Sequence, residues 1–194
     1  MISRKRFLSI VIVLCLCTLA ARVDARGETD LVNLGFERGE VGWRMWGEGD
    51  LRQEYHGLDA SDGDNFLRVW KRSGWYQDFS TQPGNRYEIS AYVASATGDG
   101  LWGDAYGEVK VEWRNQSNED VEVGEATSLK FNTTGDIDRI ISADRWTRVT
   151  LPAIEAPAGA THGRILLTIW TEGGDVGGGC ALFDEVNVSK LPRR

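Results

Sequence analysis

The 194-residue chain has only three cysteines, and two of them, Cys15 and Cys17, fall within its first 25 residues. Cys180 is then left alone, so no internal disulfide is available and burial, helped at most by a metal, must carry stability. The two histidines, His56 and His162, have no serine or cysteine context that would make a nucleophile and its base. Beyond the opening segment, no apolar run approaches the roughly 20 residues needed to cross a bilayer as a helix. Positive charge is also scarce: 22 Lys and Arg stand against 29 Asp and Glu, for a formal charge of −7. Nucleic acid and anionic membrane surfaces demand a basic face, so both are excluded as partners. Long helical periods, internal repeats and low-complexity linkers are missing too.

What is present begins with an export signal. Arg4, Lys5 and Arg6 precede the apolar run 7–20, and "VDA" at 23–25 supplies the small residues of a cleavage site. Residues 1–25 therefore read as a signal peptide and 26–194 as one domain, secreted to an extracellular or periplasmic space, with no membrane attachment after cleavage. A lipoprotein signal is excluded because Cys15 and Cys17 each follow leucine. Cleavage removes four basic residues (Arg4, Lys5, Arg6, Arg22), which leaves the mature chain more acidic still.

Short alternating runs separated by Gly, Asn and Asp clusters predict an all-β, two-sheet antiparallel sandwich. Strands are expected at 31–36, 43–47, 51–55, 65–71, 75–81, 86–95, 106–115, 122–131, 146–151, 163–171 and 180–188. Successive side chains on a strand point to opposite faces, so Leu67 and Val69, Tyr87 to Val93, Val109 to Trp113, and Ile165 to Ile169 supply alternate core positions. Trp70, Tyr92 and Trp170 fall out of phase with them. Asp184 shares parity with Leu182, Val186 and Val188, which predicts a carboxylate on an apolar face. Trp43 and Trp46 have odd spacing, so one should enter the core and the other the surface.

Four segments, "NLGFERG…GW", "GDNFLRVW", "QDFSTQPGNRYEISAYV" and "CALFDEVNV", occur in an order that resembles the galactose-binding-like β-jelly-roll carbohydrate-binding modules appended to xylanases and cellulases. The resemblance covers residues 31–188 and implies a jelly roll that binds a polysaccharide or oligosaccharide without catalysis. It also implies a structural calcium held by a first-strand glutamate and a last-strand aspartate, here Glu37 and Asp184, with Asp62 and Asn65 from the loop between them. Hard oxygen donors of this kind suit calcium; the alternative is a carboxylate hydrogen-bonded to backbone amides or paired with an arginine. Oligomeric state is not legible.

Sugar rings stack apolar faces on aromatic side chains while charged and amide groups bind hydroxyls. Arg68 with Trp70, Tyr76 with Asp78, Tyr92 with Glu88, and Trp170 are the candidates for a cleft, with Trp102 closing one end. Packing against loops is the competing fate of each. Paired carboxylates at a defined separation would mark a glycosidase, and Glu108 with Glu112 is the nearest approach, across one lysine. The glycine-rich "TEGGDVGGGC" lacks the following helix of a phosphate loop and reads as a hairpin tip. Cys180 reads as an inert buried thiol. The sequons at Asn115, Asn132 and Asn187 matter only in a host that glycosylates. An extracellular protein-interaction module on the same fold is the alternative function, and a small polysaccharide-degrading enzyme the third.

Overall fold

A computed structural model describes residues 29–120, 128–171 and 177–192. The signal segment, the tip at 172–176 and the first part of the strand expected at 122–131 lie outside them. Thirteen strands and no helix occur in the described residues: β1 (Arg44–Arg52), β2 (Glu54–Tyr55), β3 (Leu58–Asp59), β4 (Phe66–Ser80), β5 (Arg86–Ala94), β6 (Trp102–Gly103), β7 (Ala105–Arg114), β8 (Ser128–Asn132), β9 (Arg139–Ile140), β10 (Thr147–Glu155), β11 (His162–Thr171), β12 (Gly177–Gly178) and β13 (Cys180–Leu191).

Hydrogen bonding runs β10-β5-β13-β4-β11-β7-β8-β9, with β1 also on β4. The strands expected at 65–71 and 75–81 are one, the 15-residue β4. Its first half pairs with β13 at 67–70 and its second half with β11 at 73–80. β4 thereby belongs to both layers of a sandwich, and it changes layer at Lys71 to Ser73. There Lys71 adopts φ +58° and β1 advances two residues while β4 advances four. The Ser73 hydroxyl accepts from Glu48 N at 2.7 Å and secures the bulge.

The layers meet through side chains whose parity the alternation predicts. Phe131 of β8 meets Phe183 of β13 edge-on at 5.6 Å, and Trp113 of β7 lies 6.0 Å from Tyr87 of β5. Leu67, Val69, Ile89, Val93, Val109, Val111, Ile165, Leu167 and Ile169 are all buried in this core. The first layer is β10, β5, β13 and the first half of β4, and the second is the rest of β4 with β11, β7 and β8. A smaller cluster lies on the outer side of the first. Phe66, Ala94, Cys180 and Leu182 are covered there by Tyr55, Leu58 and Trp146.

Two expectations are corrected. Residues 31–36 do not form a strand: Asn33 and Phe36 have φ of 54° and 62°, and the Asn33 side chain ties turns through Gly39 O, Val41 O and Arg38 N. Phe36 still reaches the core and stacks on Trp43 at 5.1 Å. Asp184 does not share a face with Val186 and Val188. A bulge between Asp184 and Asn187, with Glu185 at φ 44°, resets the alternation. Asp184 stays with Leu182 on the outer side of its layer, while Val186 and Val188 join the main core.

Candidate functional site

The four residues expected at a metal gather around loop 61–65, but two of them face it through backbone amides. The Asp184 carboxylate accepts from Ser61 N (2.9 Å), Asp62 N (3.3 Å) and Glu185 N (2.7 Å). Glu37 accepts from Asp64 N and Asn65 N, both at 3.0 Å, and from Asn65 Nδ2 at 3.5 Å. A Cβ on Gly63 would fall 2.5 Å from the Glu37 carboxyl, and its φ of +65° adds a second reason for glycine there. Among the described residues no three His, Cys, Asp or Glu side chains converge as a metal centre. None of the ion pairs among the described residues reaches Glu37, Asp62, Asp64, Asp184 or Glu185. Asp184 is fully buried, and that burial pushes its carboxyl up to about 6, with Glu185 adding to the rise against the amide donors.

The seven aromatic and charged candidates do not form one cleft. Arg68, Trp70 and Tyr92 lie on the outer side of the first layer, which the β2–β3 hairpin covers. Arg68 is clamped between Tyr55 (4.4 Å) and Trp70 (4.5 Å) and forms a bidentate pair with Asp50. Trp70 gives its indole N–H to Glu48 at 2.7 Å and packs on the smaller cluster, so it is not a bare platform. Tyr92 sits opposite Asp184 in the register, with Arg148 on its other side. Trp102 is 59% exposed and leans on Gly178 of β12, where an added Cβ would stand 3.0 Å from its indole nitrogen.

Tyr76, Asp78 and Trp170 lie on the outer side of the second layer, and there a site does assemble. The register aligns Trp46, Gly74, Thr168, Glu108 and Lys130 in one row across β1, β4, β11, β7 and β8. Four strand intervals of about 4.8 Å make it roughly 19 Å long. Gly74 has no side chain to fill the row. A Cβ there would meet Thr168 Cγ2 at 2.7 Å and the Trp46 ring at 3.0 Å. Trp46 therefore lies across the glycine and meets Trp170 at 5.3 Å. Glu108, 6% exposed, accepts from the Thr168 hydroxyl at 3.3 Å and forms the floor beyond the pair. Tyr106 beneath Lys130 (4.5 Å) borders the row on one flank. Tyr76 beneath Arg164 (4.2 Å), itself paired with Asp78 at 2.6 and 2.9 Å, borders the other. Asp78 is thus committed within the fold.

Trp46, Gly74 and Tyr106 were not among the candidates. The odd Trp43–Trp46 spacing carried the signal for the first: Trp43 is buried and gives its N–H to Asn33 O at 2.9 Å, while Trp46 is outside. The other two depended on register between strands distant in sequence. Glu112, half of the carboxylate pair weighed for catalysis, is in an ion-pair network. Burial pushes its carboxyl up, but hydrogen bonds from Arg114 (2.7 Å) and Lys110 (3.1 Å) together hold it below its ordinary value. A general acid needs the opposite.

Two mostly antiparallel layers of this topology form a β-sandwich, a fold shared with solved carbohydrate-binding modules. No family model matches the chain, and no curated protein does. Solved structures do: TmCBM61 in complex with β-1,4-galactotriose superposes with a TM-score of 0.54 at 17% identity, over 84% of this chain and 99% of that one. The CBM22-1–CBM22-2 tandem of Paenibacillus barcinonensis Xyn10C superposes at 0.57 and 19% identity, over 88% of this chain and 47% of its own. The enzymatically active domain of tailspike protein 4 from bacteriophage CBA120 superposes at 0.58 and 10% identity, over 84% of this chain. The match spans 21% of that domain's own chain. At such identities the likeness establishes the fold.

Proposed function

We propose that the protein is a secreted, non-catalytic module that binds a polysaccharide or oligosaccharide across the outer face of its second layer. The observation that carries the reading is the Trp46–Trp170 pair, with Trp46 lying over Gly74 above Thr168 and Glu108. It offers two partly exposed rings for stacking above a buried polar floor of Thr168 and Glu108. A glycan complex described for one structural neighbour and xylan binding named for another support the choice of ligand class. Ion pairing of Glu112 supports a binding role over hydrolysis.

Stacking one ring on an aromatic side chain is worth about 0.5–1.5 kcal/mol beyond area burial. Trp46→Ala and Trp170→Ala should therefore each weaken glycan binding by several-fold or more in calorimetric titration and leave the melting temperature close to that of the parent. Full affinity in both variants for a glycan the parent binds would move the site elsewhere.

A structural calcium is a separate part of the proposal. Glu37 and Asp184 would hold it, and the ion would supply positive charge where two carboxylates bracket loop 61–65 without a cationic side chain. The burial of Asp184 supports this reading. A melting temperature unmoved by exhaustive chelation and calcium return would remove the ion.

A further inference from the structure

A notch of about 680 Å³ opens where β4 changes layer, and its lining residue Arg72 reaches the Trp46–Trp170 pair. Arg68, Lys71 and Arg72 line it, with Asp99 the carboxylate in its wall, on a chain whose formal charge is −7. Two of the three cations are already neutralised: Arg68 by Asp50 at 2.9 Å and Lys71 by Glu48 at 2.5 Å. Arg72 is exposed and forms no ion pair with a carboxylate of the described residues; its guanidinium lies 5.2 Å from the Trp170 ring. Asp99 is occupied by the Tyr55 hydroxyl, at 2.5 Å. The facing wall is glycine backbone at 177–179, so thin that a Cβ on Gly179 would stand 1.9 Å from Gly100 O. Thr171, also in the lining, has a buried hydroxyl with no hydrogen-bond partner among the described residues.

We infer that this notch seats an anionic sugar unit, carrying a carboxylate or a sulfate ester, at the end of a chain whose other rings stack on Trp46 and Trp170. The inference rests on the glycan reading above and narrows it to acidic glycans. Arg72 carries it, because it is the cation of the notch that no carboxylate of the described residues pairs with, and it touches the aromatic platform. A planar guanidinium presents two parallel N–H donors to a carboxylate or to two sulfate oxygens. The same Arg over the Trp170 face keeps that fork at the rim, with no carboxylate of the described residues closing it.

Three probes test the inference on the mature protein by isothermal titration calorimetry: an oligouronate, its carboxyl-reduced neutral form, and a sulfated neutral oligosaccharide of the same length. The oligouronate or the sulfated form should bind about tenfold or more tighter than the neutral form, as a charge-assisted hydrogen bond allows. Whichever of the two leads names the anion. Arg72→Gln should bring the charged and neutral affinities together, and Arg72→Lys should restore part of the difference. Raising the salt should shrink the parent's preference. Equal affinity of the parent for all three, with Trp46→Ala weakening all alike, would overturn the acidic notch while the glycan site stands. A parent that binds none of these, and no neutral glycan in a broad panel, would overturn both.

Discussion

Asp184→Asn keeps the side chain's outline and removes its charge and its titration, and the effect of that change on stability should depend on pH. The Asp184 carboxyl titrates near 6 in the fold, against an ordinary 3.8, because burial disfavours its charged form more than three backbone amides favour it. Each pH unit between two such titrations is worth about 1.4 kcal/mol, so the gap amounts to about 3 kcal/mol. Its sign follows from the direction of the shift. The folded chain holds the proton more tightly than the unfolded one, so the contribution is fully present below about pH 3.8 and is lost as pH rises through about 6. In chelator, parallel urea titrations of the two proteins at steps from pH 7.5 to 4 should show the parent gaining on the variant by up to that amount toward acid. Asp30 and Glu112, both held below their ordinary values, act in the opposite direction. They are present in both proteins and cancel in the comparison. A difference that is flat across this range, or that moves against the parent in acid, would refute the account of Asp184 as an under-compensated buried charge. Repeating the series in calcium should flatten the difference if the ion sits at this carboxylate.

Gly74→Val should fill the row between Trp46 and Thr168 and abolish glycan binding, read by calorimetric titration, at a modest loss of stability from the displaced indole. Trp113→Ala, in contrast, empties the main core and should cost about 3–5 kcal/mol in a urea titration. Arg164→Ala frees both Asp78 and the upper face of Tyr76; because the pair is partly exposed, its loss should cost about 1 kcal/mol or less in stability. Any change in glycan affinity in that variant would show Tyr76 to be a second stacking surface.

Much of the core was readable from two-residue alternation, because each of β5, β7 and β11 keeps one parity from end to end. Where the backbone breaks parity, the reading failed. Asp184 lies just before the bulge at Glu185, and its apparent companions Val186 and Val188 lie just after it. At the opening stretch, Phe36 and Trp43 are apolar partners as a strand would make them, but left-handed turns at Asn33 and Phe36 bring them together. Nothing in a hydrophobic pattern reveals such turns, since neither residue is glycine. The site posed a different problem. Trp170 could be singled out from its own strand, whereas its companion Trp46 is 124 positions earlier and reaches it only because β1 and β11 flank the same stretch of β4. Conversely, Trp70 and Trp170 look equivalent within their strands, and only the fold shows that one packs on the small cluster beneath the β2–β3 hairpin while the other meets Trp46 and Arg72.

A strand shared by two sheets also sets how the molecule can come apart. In many sandwiches each sheet could in principle fray from its own edge while the other holds. Here neither layer can be completed without β4, which contributes one half to each and carries β1 along both. Its partners β11 and β13 lie about a hundred residues downstream, so its pairing closes long loops before any contact repays their entropy. Assembly should accordingly be slow and concerted. Once formed, β4 acts as a crossbar: pulling either layer loads the same strand, and the bulge at Lys71 to Ser73 is the point at which that load passes from one sheet to the other.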